Sequence, residues 1–357
     1  MSPRTRVALA LGSGGARGYA HIGAIQVLEE RGYDIVTVAG SSMGALVGGL
    51  HAAGRLEAYA QWVLGLSQRD VLRLLDPSPS APGVIRAEKI MAKVRELLDG
   101  TLIEDLLIPF TAVATDLLAR KEVWFQEGPV DVAVRASIAL PSIITPVMLN
   151  GRLLADGGIM NPVPIAATVA TRADVTVAVS LSGGQQSGEG RVPAHETAAA
   201  RPAEEWVGRF RRGASHVLDR ELTRSVLERF AETRGRGASS RFPRSAGDDP
   251  ADVGEALVQD VVEEAVEEAV AEGFGVLPAG LRTLDVMQLS LEVLQSMVLR
   301  YRLAGYPPDL LVTVPKSAGR LLDFHRAGEL IELGRRMTEE AIDRADDFPP
   351  ARPDPED

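Results

Sequence analysis

The sequence predicts an α/β protein with a mostly parallel sheet covered by helices. Three observations carry this. Two apolar runs of strand length, "TRVALAL" (5–11) and "YDIVTVAG" (33–40), each pass through a small-residue turn into a helical segment. A later run, "ADVTVAVSL" (173–181), has the pattern of another buried strand. Hydrophobic residues make up 45% of the 357 and aromatics only 4%, so the core must be built from Ala, Val, Leu and Ile.

Taken in order, strand 5–11 leads through a glycine loop at 12–18 into an apolar-periodic helix ending near Arg31-Gly32. Strand 33–40 is followed by a small-residue helix over about 43–53 and a helical stretch over 55–75. "DPSPSAPG" (76–83) is a turn-rich break before a helix over about 86–99. "IPFTAVATDL" (108–117) and "KEVWFQEG" (121–128) read as paired strands, and 130–139 as a short helix. "VMLNGRLLADGG" (147–158) reads as a hairpin running into a tight loop. Beyond 182 the composition becomes linker-like, with a basic amphipathic helix expected at 204–232 and an acidic, helix-prone run at 251–272. An apolar helix at 283–303, a strand at 308–315 and a helix at 323–346 complete the chain, which has no internal repeat.

Composition excludes several function classes. Without cysteine there are no disulfides, thiolate metal sites or Cys nucleophile, and a reducing compartment is expected. Lys and Arg number 38 against 49 Asp and Glu, a net charge of −11, which argues against nucleic-acid binding. No run of 18 apolar residues is present, and the N-terminal apolar run is too short for a secretory signal. A cytoplasmic location is the resulting expectation.

Three stretches carry candidate chemistry. Gly40-Ser41-Ser42-Met43-Gly44 matches G-x-S-x-G between a strand and a helix. Ser42 is then a nucleophile on a strained bend, where flanking glycines let strand and helix approach, or merely a helix cap. "LGSGGARGYAHIG" (11–23) also follows a strand. It fails as a dinucleotide loop because Arg17 stands where the third glycine belongs, and as a P-loop for want of Gly-Lys-Ser/Thr. Its backbone N–H groups at a helix start suit an anion, including the oxyanion of an acyl intermediate. In "ADGGIMNPVP" (155–164), Asp156 is either a turn former or, at the end of a strand, the base for Ser42.

Together these stretches resemble the patatin-like phospholipase family. The likeness rests on Gly14-Gly15-Ala16-Arg17-Gly18 with Gly12, on Gly40 to Gly44, and on Asp156-Gly157-Gly158. "RASIALPSIITP" (135–146), Asn161-Pro162, "PDLLVTVP" (308–315) and "DFHRAGELIELG" (323–334) are similar to its bacterial branch, and Ser13, where that motif often begins with Gly, is a departure. The resemblance implies a three-layer patatin-like sandwich with a catalytic core over 5–182. It also implies a serine hydrolase releasing fatty acid from lipid esters, with no metal or nucleotide cofactor. Ser42 would be the nucleophile, Asp156 the base, and the N–H groups of Gly14, Gly15 and Ala16 the oxyanion hole. Residues 183–250 are expected to form a partly mobile linker with the basic helix, and 251–357 a helical segment with one strand packing back on the core.

Two rivals stand beside this reading. One is a Ser-His-Asp esterase acting on small soluble esters; of His21, His51, His195, His216 and His325, only His325 suits a triad. The other is a non-catalytic module whose glycine loop binds an anion. In 204–232, Trp206, Phe210, Val217, Leu222, Val226 and Phe230 share one side, and Arg209, Arg211, Arg212, Arg220, Arg224 and Arg229 supply the polar surface. Such a helix either faces a core or docks on anionic membrane. The sequence says nothing of oligomeric state.

Overall fold

The computed structural model describes residues 4–74, 83–183 and 283–350. The first half contains β1 (Arg6–Leu11), α1 (Ala20–Glu30), β2 (Asp34–Ser41), α2 (Met43–Ala52), α3 (Leu56–Leu64), α4 (Gln68–Leu74), β3 (Gly83–Ile85) and α5 (Glu88–Leu98). It continues with β4 (Phe110–Asp116), β5 (Lys121–Phe125), α6 (Val130–Ser137), β6 (Ser142–Ile144), β7 (Val147–Leu149), β8 (Arg152–Asp156) and β9 (Val175–Gly183). Further along the chain come α7 (Thr283–Gly305), β10 (Leu310–Pro315) and α8 (Ala327–Arg344).

The main sheet runs β10-β9-β1-β2-β4-β8-β7, with β5 on the free edge of β4. The pairs from β10 to β4 are parallel, and β5, β8 and β7 join antiparallel. Alternation along β1 separates two apolar layers. Val7, Leu9 and Leu11 belong to a core with Ile22, Ile25, Leu50 and Leu330 from α1, α2 and α8. Ala10, with Ala178 of β9, instead meets Val163, Ile165 and Leu299 of α7. Helices therefore cover both faces, which is why the central strands are apolar throughout. The architecture is the α/β three-layer sandwich that the sequence predicts. Each fully buried Leu or Val of this core contributes about 1.5–3 kcal/mol.

Helix α8 lies unusually close to α1. A Cβ on Gly334 would collide with the Ala20 carbonyl, and one on Gly23 with the Ile331 carbonyl. These two glycines let the helix backbones touch and bring the C-terminal segment onto the glycine-loop side of the sheet.

Two local features differ from the sequence reading. The helical stretch 55–75 divides into α3 and α4 because Ser67 and Asp70 cap each other: the Ser67 N–H and hydroxyl donate to Asp70 Oδ2, and the Asp70 N–H donates to Ser67 Oγ. A parallel pair, β3 with β6, was not expected. Three-residue strands are too short to show a period. The basic stretch 204–232, the acidic run 251–272, His195 and His216 lie outside the described residues.

Candidate active site

The site begins at the end of β2. Ser42 holds φ 57° and ψ −123°, a left-handed conformation that strains a side-chain-bearing residue. It opens α2, which turns back tightly over β1 and β2. A Cβ on Gly40 would overlap the Gly44 carbonyl, and one on Gly44 would overlap the Leu11 carbonyl. Both glycines are thus required by close backbone approach. The Ser42 N–H donates to Ser137 Oγ at 2.8 Å, and the Ser137 hydroxyl donates to the Val113 carbonyl at 2.6 Å. That buried link from α6 satisfies the N–H the strained bend leaves outside the helix ladder. Ser137 had no chemical signal in the sequence beyond its place in 135–146.

The register of β4 brings Asp156 to Ser42. Strand β5 occupies one edge of β4 over residues 112–116, so β2 and β8 share the other. Parallel β2 ends with Ser41 opposite Val113, and antiparallel β8 ends with Asp156 opposite Ala114. The two strands therefore meet C-terminus to C-terminus at adjacent positions of one partner. Ser42 Oγ donates to Asp156 Oδ2 at 2.5 Å. Asp156 Oδ1 accepts the Gly158 N–H at 2.7 Å, and the Asp156 carbonyl accepts the Thr115 hydroxyl at 2.9 Å. Asp156 is only 1% exposed. Burial pushes its carboxyl up to about 6, against the opposing pull of the Ser42 and Gly158 hydrogen bonds. Gly157 and Gly158 leave no room for a side chain: a Cβ would strike the Val113 carbonyl at the first and Ser13 Oγ at the second.

Ser41 turns the other way. Its fully buried hydroxyl donates to the Asn161 carbonyl at 2.7 Å, tying the elbow to the loop after Asp156. Asn161 Nδ2 donates to Glu122 of β5, which pairs with Arg302 of α7. The Ser41 hydroxyl is thus engaged in a tethering contact, away from Asp156. Ser41→Ala should retain most ester hydrolysis while losing about 1–2 kcal/mol of stability through the orphaned carbonyl. Denaturant melts beside initial rates check this.

The glycine loop lies across the ends of β1 and β9. The Gly12 and Ser13 N–H groups donate to the Val179 and Pro162 carbonyls, and the Ala16 N–H donates to Leu321 O at 2.9 Å. The last of these removes Ala16 from the expected oxyanion donors, because it is fully buried and its N–H is already engaged. The N–H groups of Gly14 and Gly15 donate to no described protein atom, and both residues line the cleft. Arg17 holds the loop through Nε to the Gly14 carbonyl and Nη1 to the Lys316 carbonyl. At Gly18, a Cβ would meet the Met43 side chain.

Ser42, Asp156, Gly14 and Gly15 open on one cleft of about 1260 Å³, its mouth included. Leu46, Trp62, Leu66, Ile90, Ile138 and Ile143 supply apolar walls. Of the described histidines, His21 and His51 are buried, and desolvation lowers both to about 4. His21 Nε2 lies 2.7 Å from the Gly12 carbonyl. His325 is exposed in the turn before α8 and does not line the cleft. The structure thus joins Ser42 to Asp156 directly, with no histidine between them.

The fold and site define an α/β protein whose elbow serine abuts a buried carboxylate in an apolar cleft. Residues 9–169 match the family model Patatin, described as patatin-like phospholipase. An uncharacterized NTE family protein of Mycobacterium tuberculosis is 49% identical over 355 residues, spanning 96% of this chain and 92% of that protein. Lysophospholipase NTE1 of Mycosarcoma maydis is 32% identical over 182 residues, 49% of this chain and 10% of that one. VipD from Legionella pneumophila superposes with TM-score 0.41 and 13% identity over 96% of this chain and 67% of VipD, too loosely to bear on the fold. This chain belongs to the patatin-like phospholipase family, together with these NTE family proteins.

Proposed function

We propose that this protein is a cytoplasmic serine hydrolase of lipid acyl esters, of phospholipase or lysophospholipase type, working through a Ser42–Asp156 dyad. The single observation behind this reading is the 2.5 Å hydrogen bond from Ser42 Oγ to a buried carboxylate at the floor of an apolar cleft. Membership of the family and the lysophospholipase name of one relative support the substrate class.

Ser42 Oγ attacks the ester carbonyl carbon as its proton passes to Asp156 Oδ2. The carbonyl oxygen becomes an oxyanion facing the N–H groups of Gly14 and Gly15, at the start of the turn that leads into α1. Collapse expels the alcohol, which takes the proton from Asp156 and leaves an acyl-serine. Water then gives a proton to Asp156 and attacks the acyl carbon, releasing fatty acid as Ser42 regains its hydrogen. A free carboxylate near pKa 4 is a weak base for this work, and burial brings Asp156 closer to the working pH. No step calls for a metal or nucleotide.

A hydrolysis panel tests the reading: p-nitrophenyl esters of graded chain length beside intact phospholipids and lysophospholipids. Turnover that rises with chain length and includes lipid substrates supports it, and absence of all ester cleavage sinks it. His325→Ala should keep activity within about twofold of the parent, since a direct dyad needs no imidazole. Activity as low as that of a Ser42 variant, with the fold preserved, would favour the triad esterase. The stretch 204–232 remains a proposed peripheral membrane contact on its basic amphipathic pattern.

A further inference from the structure

Helix α7 has two unlike faces. Inward, Leu291, Glu292 and Gln295 line the cleft, Leu299 packs on Val163 and Ile165, and Arg302 pairs with Glu122 and donates to the Met160 carbonyl. The latter contacts clamp the helix to the loop that follows Asp156. Outward, Val286, Met287, Leu289, Val293, Leu294, Met297 and Tyr301 are 46–75% exposed. At 100° per residue these seven fall within an arc of roughly 160°, at least the width of a face that normally meets a core. Soluble surfaces seldom leave so many large apolar side chains together without a use.

Charge narrows the occupant. The whole chain carries −11, yet the described residues of this arc include no carboxylate. The acid described on α7, Glu292, points into the cleft beside Lys316. Arg300, exposed, lies on the outward arc between Leu289 and Val293. Two copies meeting here would bring two Arg300 charges to an apolar contact with no carboxylate on either side, whereas anionic headgroups supply the counter-charge. No described helix is long and apolar enough to cross a membrane, so α7 would lie along an interface.

We propose that the outward face of α7 docks the protein on an anionic lipid surface. Docking holds the cleft, lined by the opposite face of the same helix, alongside the lipid from which an acyl chain enters. This rests on the lipid-ester reading for its purpose but uses a different surface from 204–232.

The test uses the full chain carrying Ser42→Ala, so that binding is read without turnover. Co-sedimentation with vesicles of equal parts phosphatidylcholine and phosphatidylglycerol should pull the protein down. V293Q/L294Q/M297Q should weaken this by about tenfold or more. Arg300→Gln should weaken it chiefly at low salt. The Tm, and short-chain ester hydrolysis in the Ser42-containing counterparts, should stay at parental values. Val293→Gln alone should shift binding in the same direction should the triple variant misfold. A parent that stays in the supernatant, or variants that bind vesicles as it does, overturns the proposal. So does a lowered Tm for Val293→Gln, which would mean the face is packed within its own chain. A fall in mass by light scattering with vesicle binding unchanged would give the face to a second copy instead. Failure of the Ser42-containing parent to cleave any ester would sink the hydrolase reading while the binding result stands by itself.

Discussion

Replacing Ser42 by alanine should lower ester hydrolysis by on the order of 10⁴-fold or more and abolish labelling by a fluorophosphonate. No other described hydroxyl donates to the Asp156 carboxylate. The variant keeps its fold, because the bend is held by the Ser137 contact to the backbone N–H and by the glycines at 40 and 44, none of which needs the Ser42 hydroxyl. A second substitution at this site separates chemistry from strain. Ser42→Gly should be as inactive, yet more stable than Ser42→Ala by about 1–3 kcal/mol, because φ 57° with ψ −123° is comfortable only without a Cβ. Activity surviving in either variant, or equal loss on removing Ser41, would move the nucleophile elsewhere.

Asp156→Asn should reduce turnover by about 10²–10⁴-fold, since an amide cannot take the serine proton. Its geometry can still be satisfied: Oδ1 accepts the Gly158 N–H, and the amide nitrogen donates to Ser42 Oγ. The substitution should therefore raise stability at neutral pH. The Asp156 carboxyl sits at about 6 in the folded protein, above its ordinary value of 3.8. Stability from the neutral carboxyl is full below about pH 4 and lost as pH rises through about 6, where the chain must bury a charge. Asp156→Asn removes that burden, so its Tm should exceed the parent's at pH 7.5, by up to about 3 kcal/mol in free energy, and approach it near pH 4. Activity moves the other way. The base works only when ionised, so kcat/KM should fall about tenfold per unit below pH 6. Stability scans and pH–rate profiles on the same preparations check both signs. A parent rate flat from pH 7.5 to 4.5 would remove Asp156 as the base.

Much of the local structure was written in the chain. Strands such as 5–11 and 173–181 are apolar because both their faces are covered, and this shows in one dimension. Gly40 and Gly44 announce a tight bend because any Cβ there would strike backbone, Gly40 against its near neighbour Gly44 and Gly44 against Leu11 of the adjoining strand. The hydroxyl on that bend was legible for the same reason. Tertiary structure decided what depends on residues far apart. Ser42 and Asp156 are 114 positions apart, and they touch because β4 gives successive positions of one edge to β2 and β8. Which of two adjacent serines faces the carboxylate follows from alternation at the end of β2, and the tether from Ser41 to Asn161 required the folded loop. Ala16 left the oxyanion donors only because Leu321, brought in near the start of α8, offers its carbonyl. The apolar character of α7 was plain from its residues. Which part of it is buried, and which seven side chains face outward, was set by the sheet, the Arg302–Glu122 pair and the cleft against which the helix packs. Composition records how much apolar surface a helix carries, and only packing selects the side that water sees.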